Sequence, residues 1–275
     1  HIKVEPARWY MHCDREGILV WQDLPSPNLP SGHEDFAKKT FQEESVRIIE
    51  AFRNHPSIIQ WIVFNEGWGQ FDTERMTQIV QGVVGQTLVC CASGWNDADI
   101  GDIKDSHSYP DPSCPLDRNR AAVCGEYGGI TLKVQGHVWP GGDFQYTTVE
   151  TGGDFTVLFN RLADKIKDYY YYGLNAAVYT QLSDVEIERN GILTYDRRVL
   201  KPYSATGELK AKIEECINMP RSGVKVQTII STSQEHKYKW RYTTSDDVPR
   251  RWFAKELDDR AWAQGEAAFG RSAFN

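Results

Sequence analysis

The sequence has no CxxC pair, no P-loop, no GxGxxG run, no Ser-His-Asp spacing and no Cys/His spacing of the kind that holds zinc. Its six cysteines, Cys13, Cys90, Cys91, Cys114, Cys124 and Cys216, are scattered. Cys90, Cys91 and Cys124 sit in apolar strand-like runs, where a free thiol behaves as a small hydrophobe, so mostly reduced thiols are expected. No apolar run approaches the roughly 20 residues that cross a bilayer, so no membrane span is expected. A basic excess is lacking too: 31 Lys and Arg face 38 Asp and Glu, a net charge of −7. That balance argues against nucleic acid as a partner, because affinity there comes from clustered cations on phosphates. The chain lacks an initiator Met and a signal-like start, and His1 opens inside a patterned segment. The expectation is a fragment, whose lack of a targeting signal says nothing about compartment.

What is present is a globular composition: 275 residues, 40% apolar and 25% charged, enough for one barrel-sized domain or one and a half ordinary ones. Nine Trp and thirteen Tyr are many for this length. Flat rings of this kind suit core packing and also the apolar faces of sugars.

Strand and helix signals alternate along the chain. Pro6 and Gly17 bound a first helix, and Ile18 to Trp21 form a short strand. Ser31 followed by Glu34 reads as a capping box opening a helix with a stripe of Phe41, Ile48, Ile49 and Phe52. The run Ile58 to Phe64 has the composition of a strand buried on both faces, and it ends abruptly at Asn65 and Glu66. Asp72 is placed to cap the next helix, with Met76, Ile79, Val80, Val83 and Val84 on one face and Gly85 as its stop. Leu88 to Ser93, Asp102 to Tyr109 and Ala121 to Cys124 are further strands, the last leading into Gly125 and Glu126. A loop rich in glycine and aromatics runs from Gly136 to Gly153. A helix through Phe155, Leu158, Phe159, Leu162, Ile166 and Tyr169 follows, ended by Gly173. Asn175 to Thr180 is the last apolar strand; an Asn190-Gly191 turn and a helix through Leu209, Ile213 and Ile217 complete the pattern.

Six strands with intervening helices imply a parallel sheet with right-handed crossovers, most often closed as an eight-stranded (β/α)8 TIM barrel. The expected fold class is therefore α/β, a barrel lacking its first two strands over residues 1–218, followed by a partial all-β segment over 219–275. In that tail Val224, Val226 and Ile230, then Tyr238, Trp240 and Tyr242, alternate at period two. Lys237, Lys239 and Arg241 interleave with these aromatics as the solvated face of a strand.

In a parallel barrel the carboxyl ends of the strands converge on one face. Glu66 and Glu126 both stand at such ends. Two carboxyls flanking one bond are what glycoside hydrolysis requires, one to donate a proton and one to stabilise or trap the sugar cation. Their separation, about 5 Å for retention or roughly 6.5 to 9.5 Å for inversion, is not readable in a sequence. Glu126, flanked by Gly125, Gly128 and Gly129, reads equally as a turn carboxylate.

The segments HIKVEPARWYMHCDREGILVWQDLP, WIVFNEGWGQFDT, DSHSYPDP, GEYGG and YTQLSDVEIERNGILTYDR resemble the catalytic domain of glycoside hydrolase family 2, the family of β-galactosidases, β-glucuronidases and β-mannosidases. The resemblance implies a retaining, β-galactosidase-like exo-β-glycosidase that hydrolyses terminal β-linked sugars. Asn65 would bind the substrate 2-hydroxyl, Glu66 would be the general acid/base and Glu126 the nucleophile. Glu66 would need a raised pKa, with Glu126 and apolar walls such as Trp61 and Trp68 to supply it. By the same resemblance Tyr109 lies against the nucleophile, His107 binds a sugar hydroxyl and His1 stands near the non-reducing sugar. Trp95, Tyr179 and Gln181 are pocket walls by position.

Asp23 occupies a place where some members hold Mg²⁺, but the accompanying histidine is absent, so no metal or other cofactor is expected. Gly129 stands where well-known β-galactosidases carry a histidine that contacts the sugar, a departure that counts against galactose. The resemblance favours a periplasmic or secreted location, an oligo- or polysaccharide substrate, and allows an oligomer. The stretch WFAKELDDRAWAQGEAAFG is similar to galactose-binding β-sandwich modules. The competing reading is a non-catalytic carbohydrate-binding or degenerate barrel, which would have no need of two convergent carboxylates.

Overall fold

The computed structural model describes residues 1–27, 29–142, 144–202, 206–219, 239–243 and 258–266. They fall into two units, His1–Gly223 and Val224–Asn275. In the first unit, α1 (Ala7–Glu16) starts after Pro6, whose fixed φ suits a helix entry, and stops at Gly17, which turns left-handed and gives its N–H to the Cys13 carbonyl. Strand β1 is Val20–Asp23. It begins two residues later than the apolar run suggested, because Ile18 and Leu19 are exposed and precede the ladder.

Helix α2 (Glu34–Phe52) buries Phe41 and Ile49, but no capping box opens it. His33 occupies the cap position without a side-chain bond. A turn closed by His33 N–H on the Pro30 carbonyl takes Ser31 out of register, leaving Glu34 and Asp35 to complement the helix dipole. The long apolar run becomes β2 (Ile58–Asn65). Helix α3 (Thr73–Val84) follows, with Asp72 at the cap position but making no capping bond.

Then come β3 (Leu88–Ser93), β4 (Ile103–Ser108) and β5 (Ala121–Gly128), the last four residues longer than read from the sequence. Strand β6 (Ile130–Thr131), just before the glycine-rich loop, pairs in parallel with β7 (Thr147–Thr148) inside it. Helix α4 (Gly152–Tyr172), capped by Thr151 Oγ1 on the Asp154 N–H, leads to β8 (Leu174–Thr180), and α5 (Thr206–Ile217) ends the unit. Asn190 and Gly191 do not form a hairpin turn. Neither has the positive φ such a turn requires, and both are buried, with Gly191 pressed against the Asp184 backbone.

Six strands are parallel: β1-β2-β3 form one ladder and β4-β5-β8 another. The two ladders meet where Asp102 N–H bonds the Val89 carbonyl at 2.8 Å and Cys90 bridges Gly101. Each of these six strands contributes to a shared interior of Trp21, Ile62, Cys90, Ile103, Ala121, Val123 and Ala176. Only a sheet curved about an axis can bring one residue from every strand together, so this cluster defines a barrel interior. Outside it, Tyr10, Phe41, Trp61, Met76 and Val80 pack beneath α1 to α3. Phe155, Phe159 and Leu162 seat α4 on the other ladder, each such side chain contributing about 1.5–3 kcal/mol by burial.

All six cysteines are free. No described helix is long and apolar enough to cross a membrane.

In the second unit, β9 (Lys239–Tyr242) and β10 (Ala263–Glu266) form an antiparallel pair with Trp240 opposite Gly265. The expected alternation at Val224, Val226, Ile230, Lys237 and Tyr238 lies outside the described residues.

Candidate active site

The carboxyl ends of β2, β4, β5 and β8 open into a cleft of about 1210 Å³. At the end of β2, Asn65 is buried and accepts a hydrogen bond from Ser93 Oγ at 2.8 Å. Glu66 follows in the left-handed region, φ 51°, which a non-glycine residue adopts only at a cost of about 1–3 kcal/mol. Its N–H is anchored to the Ser93 carbonyl at 3.0 Å, so the two neighbouring strand ends hold the strained residue in place.

On β4, Asp105 and His107 share one face at period two. A register shift after Ser106 sets His107 opposite Glu126 of β5. One atom each of Glu66, His107 and Glu126 lie within 4.8 Å of one another. His107 Nδ1 is 2.7 Å from Glu66 Oε1 and 3.4 Å from Glu126 Oε2, and its Nε2 is 3.8 Å from Asp105 Oδ2. Burial opposes charge on this imidazole, but Asp105, Glu66 and Glu126 outweigh it and push its pKa up to about 10. His107 is therefore biased towards its protonated form, within reach of both Glu66 and Glu126. Asp105 is itself fixed by accepting the Gly125 N–H at 2.6 Å.

Glu126 is raised above the usual carboxylate range by burial, against which His107 and the Tyr109 hydroxyl work. That hydroxyl donates to Glu126 Oε2 at 2.5 Å. Burial, then the Glu126 charge, hold the phenol far above its ordinary pKa, so it stays a donor. The Tyr109 ring stacks on Tyr146 at 3.9 Å and 10°. Gly129 makes room for this stack: with φ 63°, a Cβ there would stand 2.6 Å from Tyr146 and 2.9 Å from Tyr109. A larger residue at 129 and the tyrosine stack are mutually exclusive here.

The remaining sequence-derived positions divide. His1 reaches the pair, Nδ1 at 3.4 Å from Glu126 Oε1 and 3.7 Å from Asp23 Oδ2. Gln181 lines the cleft and donates to Asn190 Oδ1 at 2.6 Å. Tyr179 borders the cleft but sets its ring edge-on to Tyr127 and Phe159, on the side of α4. Trp95 does not line the cleft. It stands behind Glu66, donating from Nε1 to the Glu66 carbonyl at 3.0 Å, with its ring edge-on to His107. Trp68 is an exposed cleft wall, whereas Trp61 is fully buried beneath the helices: with Ile62 facing the interior, residue 61 must face out.

Reading the sequence alone overlooked Asp105, Tyr146 and Glu188. Asp105 had a signal, lying two residues before His107 on the same strand face.

Glu66, His107 and Glu126 are also the cluster among the described residues that could hold a metal ion. A metal there would have to displace the proton that the surrounding carboxylates favour on the imidazole.

Residues 5–218 match the model of a family described as glycosyl hydrolases family 2, TIM barrel domain. Among solved structures, the chain is similar to a GH2 β-galacturonidase from Eisenbergiella tayi bound to galacturonate, at 14% identity and a TM-score of 0.57, covering 77% of this chain and 43% of that one. It is also similar to a β-glucuronidase from Ruminococcus gnavus in complex with D-glucaro 1,5-lactone, at 16% identity and a TM-score of 0.53, covering 76% and 41%. At such identity the likeness concerns the fold. The chain spans less than half the length of these relatives. No curated protein matches it. A model covering most of the chain, over the same residues that build the curved parallel sheet, shows that this chain belongs to glycosyl hydrolase family 2, with its TIM barrel domain at residues 5–218.

Proposed function

We propose that this domain hydrolyses terminal β-linked sugars with retention of configuration, by double displacement between Glu126 and Glu66. The observation that carries the reading is the approach of a Glu66 and a Glu126 oxygen to within 4.8 Å at the ends of two parallel strands. Two carboxyls whose oxygens approach this closely can flank one glycosidic bond, one to protonate the leaving oxygen and one to attack the sugar, which supports a double displacement.

In the first step Glu126 attacks the anomeric carbon and the bond to the leaving oxygen breaks as Glu66 protonates that oxygen. In the second, Glu66 takes a proton from water, which displaces Glu126 from the sugar. Tyr109 and His107 hold Glu126 by a hydrogen bond and a charge. In this reading Asn65, beside Glu66, meets the substrate 2-hydroxyl, and His1 and Gln181 form walls of the sugar site.

The test is Glu126→Ala on a panel of aryl β-glycosides, with and without azide. Loss of turnover, with azide restoring it as a glycosyl azide of inverted configuration, supports Glu126 as nucleophile. Full activity in Glu126→Ala, or a wild type that binds sugars and cleaves none of the panel, overturns the reading.

A further inference from the structure

Five carboxylates border the cleft, those of Asp23, Glu66, Asp105, Glu126 and Glu188, and no Lys or Arg among the described residues does. The basic side chains present are those of His1 and His107, and His107 is already enclosed by Glu66, Glu126 and Asp105. In the loop after β8, two bases beside Glu188 in the fold are turned into structure, while Arg197 and Arg198 are exposed and do not border the cleft. Arg189 Nη2 donates to the Trp139 carbonyl at 3.0 Å and the Gly141 carbonyl at 3.4 Å. Lys201 Nζ is buried on Asp184 Oδ1 at 2.6 Å and the Arg189 carbonyl at 3.0 Å.

The proposed chemistry leaves Asp23 and Glu188 of this set unused, and Asp23 already accepts the Ile2 N–H at 2.6 Å. Reciprocal bonds with Val185, 2.9 and 3.0 Å, fix the Glu188 backbone, and among the described residues its side chain has a long contact of 3.4 Å from Gln181 Nε2. Burial, and after it the charge of Glu66, hold its carboxyl above the usual range, so the two acids share one electrostatic space.

Resting on the glycosidase reading above, we infer that Glu188 is a specificity-determining residue, which makes the cleft accept an uncharged terminal sugar and reject a uronic acid. A uronate would bring a further anion into a half-buried site of like charge, with no described Lys or Arg to receive it. The fold shared with a galacturonidase and a glucuronidase does not set this property, which belongs to the cleft side chains.

The test compares kcat/KM of the protein for 4-nitrophenyl β-glucoside and β-galactoside with the corresponding β-glucuronide and β-galacturonide, at low and high salt. The neutral glycosides should be preferred, and the uronide-to-neutral ratio should rise with salt as the repulsion is screened. Glu188→Gln, nearly isosteric, should raise that ratio about tenfold. Glu50→Gln, on the exposed face of α2, should leave it unchanged.

Preference for the uronides, or a ratio that moves with neither salt nor Glu188→Gln, overturns the inference and leaves the glycosidase reading standing. If Glu188→Gln does not fold, the salt series on the wild type decides alone. Turnover of neither class removes the glycosidase reading and the inference with it.

Discussion

Tyr109 donates its phenolic hydrogen to Glu126 Oε2 over 2.5 Å. The bond favours the carboxylate form of Glu126, against the burial that raises its pKa. Tyr109→Phe removes the donor and keeps the ring that stacks on Tyr146. A hydrogen bond to a charged group contributes about 1.5–3 kcal/mol, so kcat/KM should fall roughly ten- to a hundredfold. The acid limb of the pH–rate profile should also move to higher pH, because Glu126 becomes harder to ionise. An unmoved acid limb would show that the bond is not what keeps Glu126 anionic.

Gly94 sits behind the same centre, with φ 81°. A Cβ there would lie 2.8 Å from His107 Nδ1 and 3.3 Å from Glu66 Cγ. Gly94→Ala should therefore cost about 1–3 kcal/mol of stability through backbone strain. It should also lower kcat more than the loss of folded protein explains, since relief must come from moving His107 or Glu66. A melting curve and an active-site titration on one preparation check both parts; an unchanged kcat per folded molecule would refute the second.

Much of the architecture was legible because burial leaves a compositional mark. Ile58 to Phe64 can only be a strand covered on both sides, and its end at Asn65 and Glu66 is visible as a sudden change to polar residues. The same contrast exposed Glu126 after the run Ala121 to Cys124. What failed was local chemistry that tertiary contacts override. Ser31 and Glu34 have capping-box spacing, yet the turn on Pro30 diverts Ser31. Asn190 and Gly191 have hairpin composition, yet they are buried beside Asp184 and Gln181. Trp61 was misplaced because a strand apolar on both faces does not announce which side chains face the interior. Tyr146 and Glu188 come from irregular segments with no period to betray their direction. Only the closed cleft brings them to Tyr109 and Gln181.

Lys201 and Asp184 are both buried and bonded at 2.6 Å, and they tie the segment carrying Gln181 and Glu188 to the chain at residue 201. Burial depresses the lysine pKa and raises that of the aspartate, each in part offset by the other. Lys201→Met leaves Asp184 as an uncompensated buried charge and should cost about 3–5 kcal/mol. Lys201→Met combined with Asp184→Asn should recover a large part of that loss, because no unpaired charge remains. Denaturant unfolding of the three proteins decides it; additive losses would show that each residue acts without the other.

His107 couples this arrangement to pH. Burial alone would favour a neutral imidazole, but Asp105, Glu66 and Glu126 raise its pKa from 6.5 to about 10. The folded protein thus holds this proton more tightly than the unfolded chain. The stability it contributes is complete below pH 6.5 and is lost as pH rises towards about 10. Glu126 and Asp105 are raised too, but as carboxyls starting from 4.5 and 3.8, so their contributions begin to fall away at lower pH. Between pH 6.5 and 10 the unfolding midpoint of the wild type should therefore drop more steeply than that of His107→Gln, whatever the difference in their absolute stabilities. Parallel slopes for the two proteins would show that the proton on His107 is not held by the three carboxylates around it.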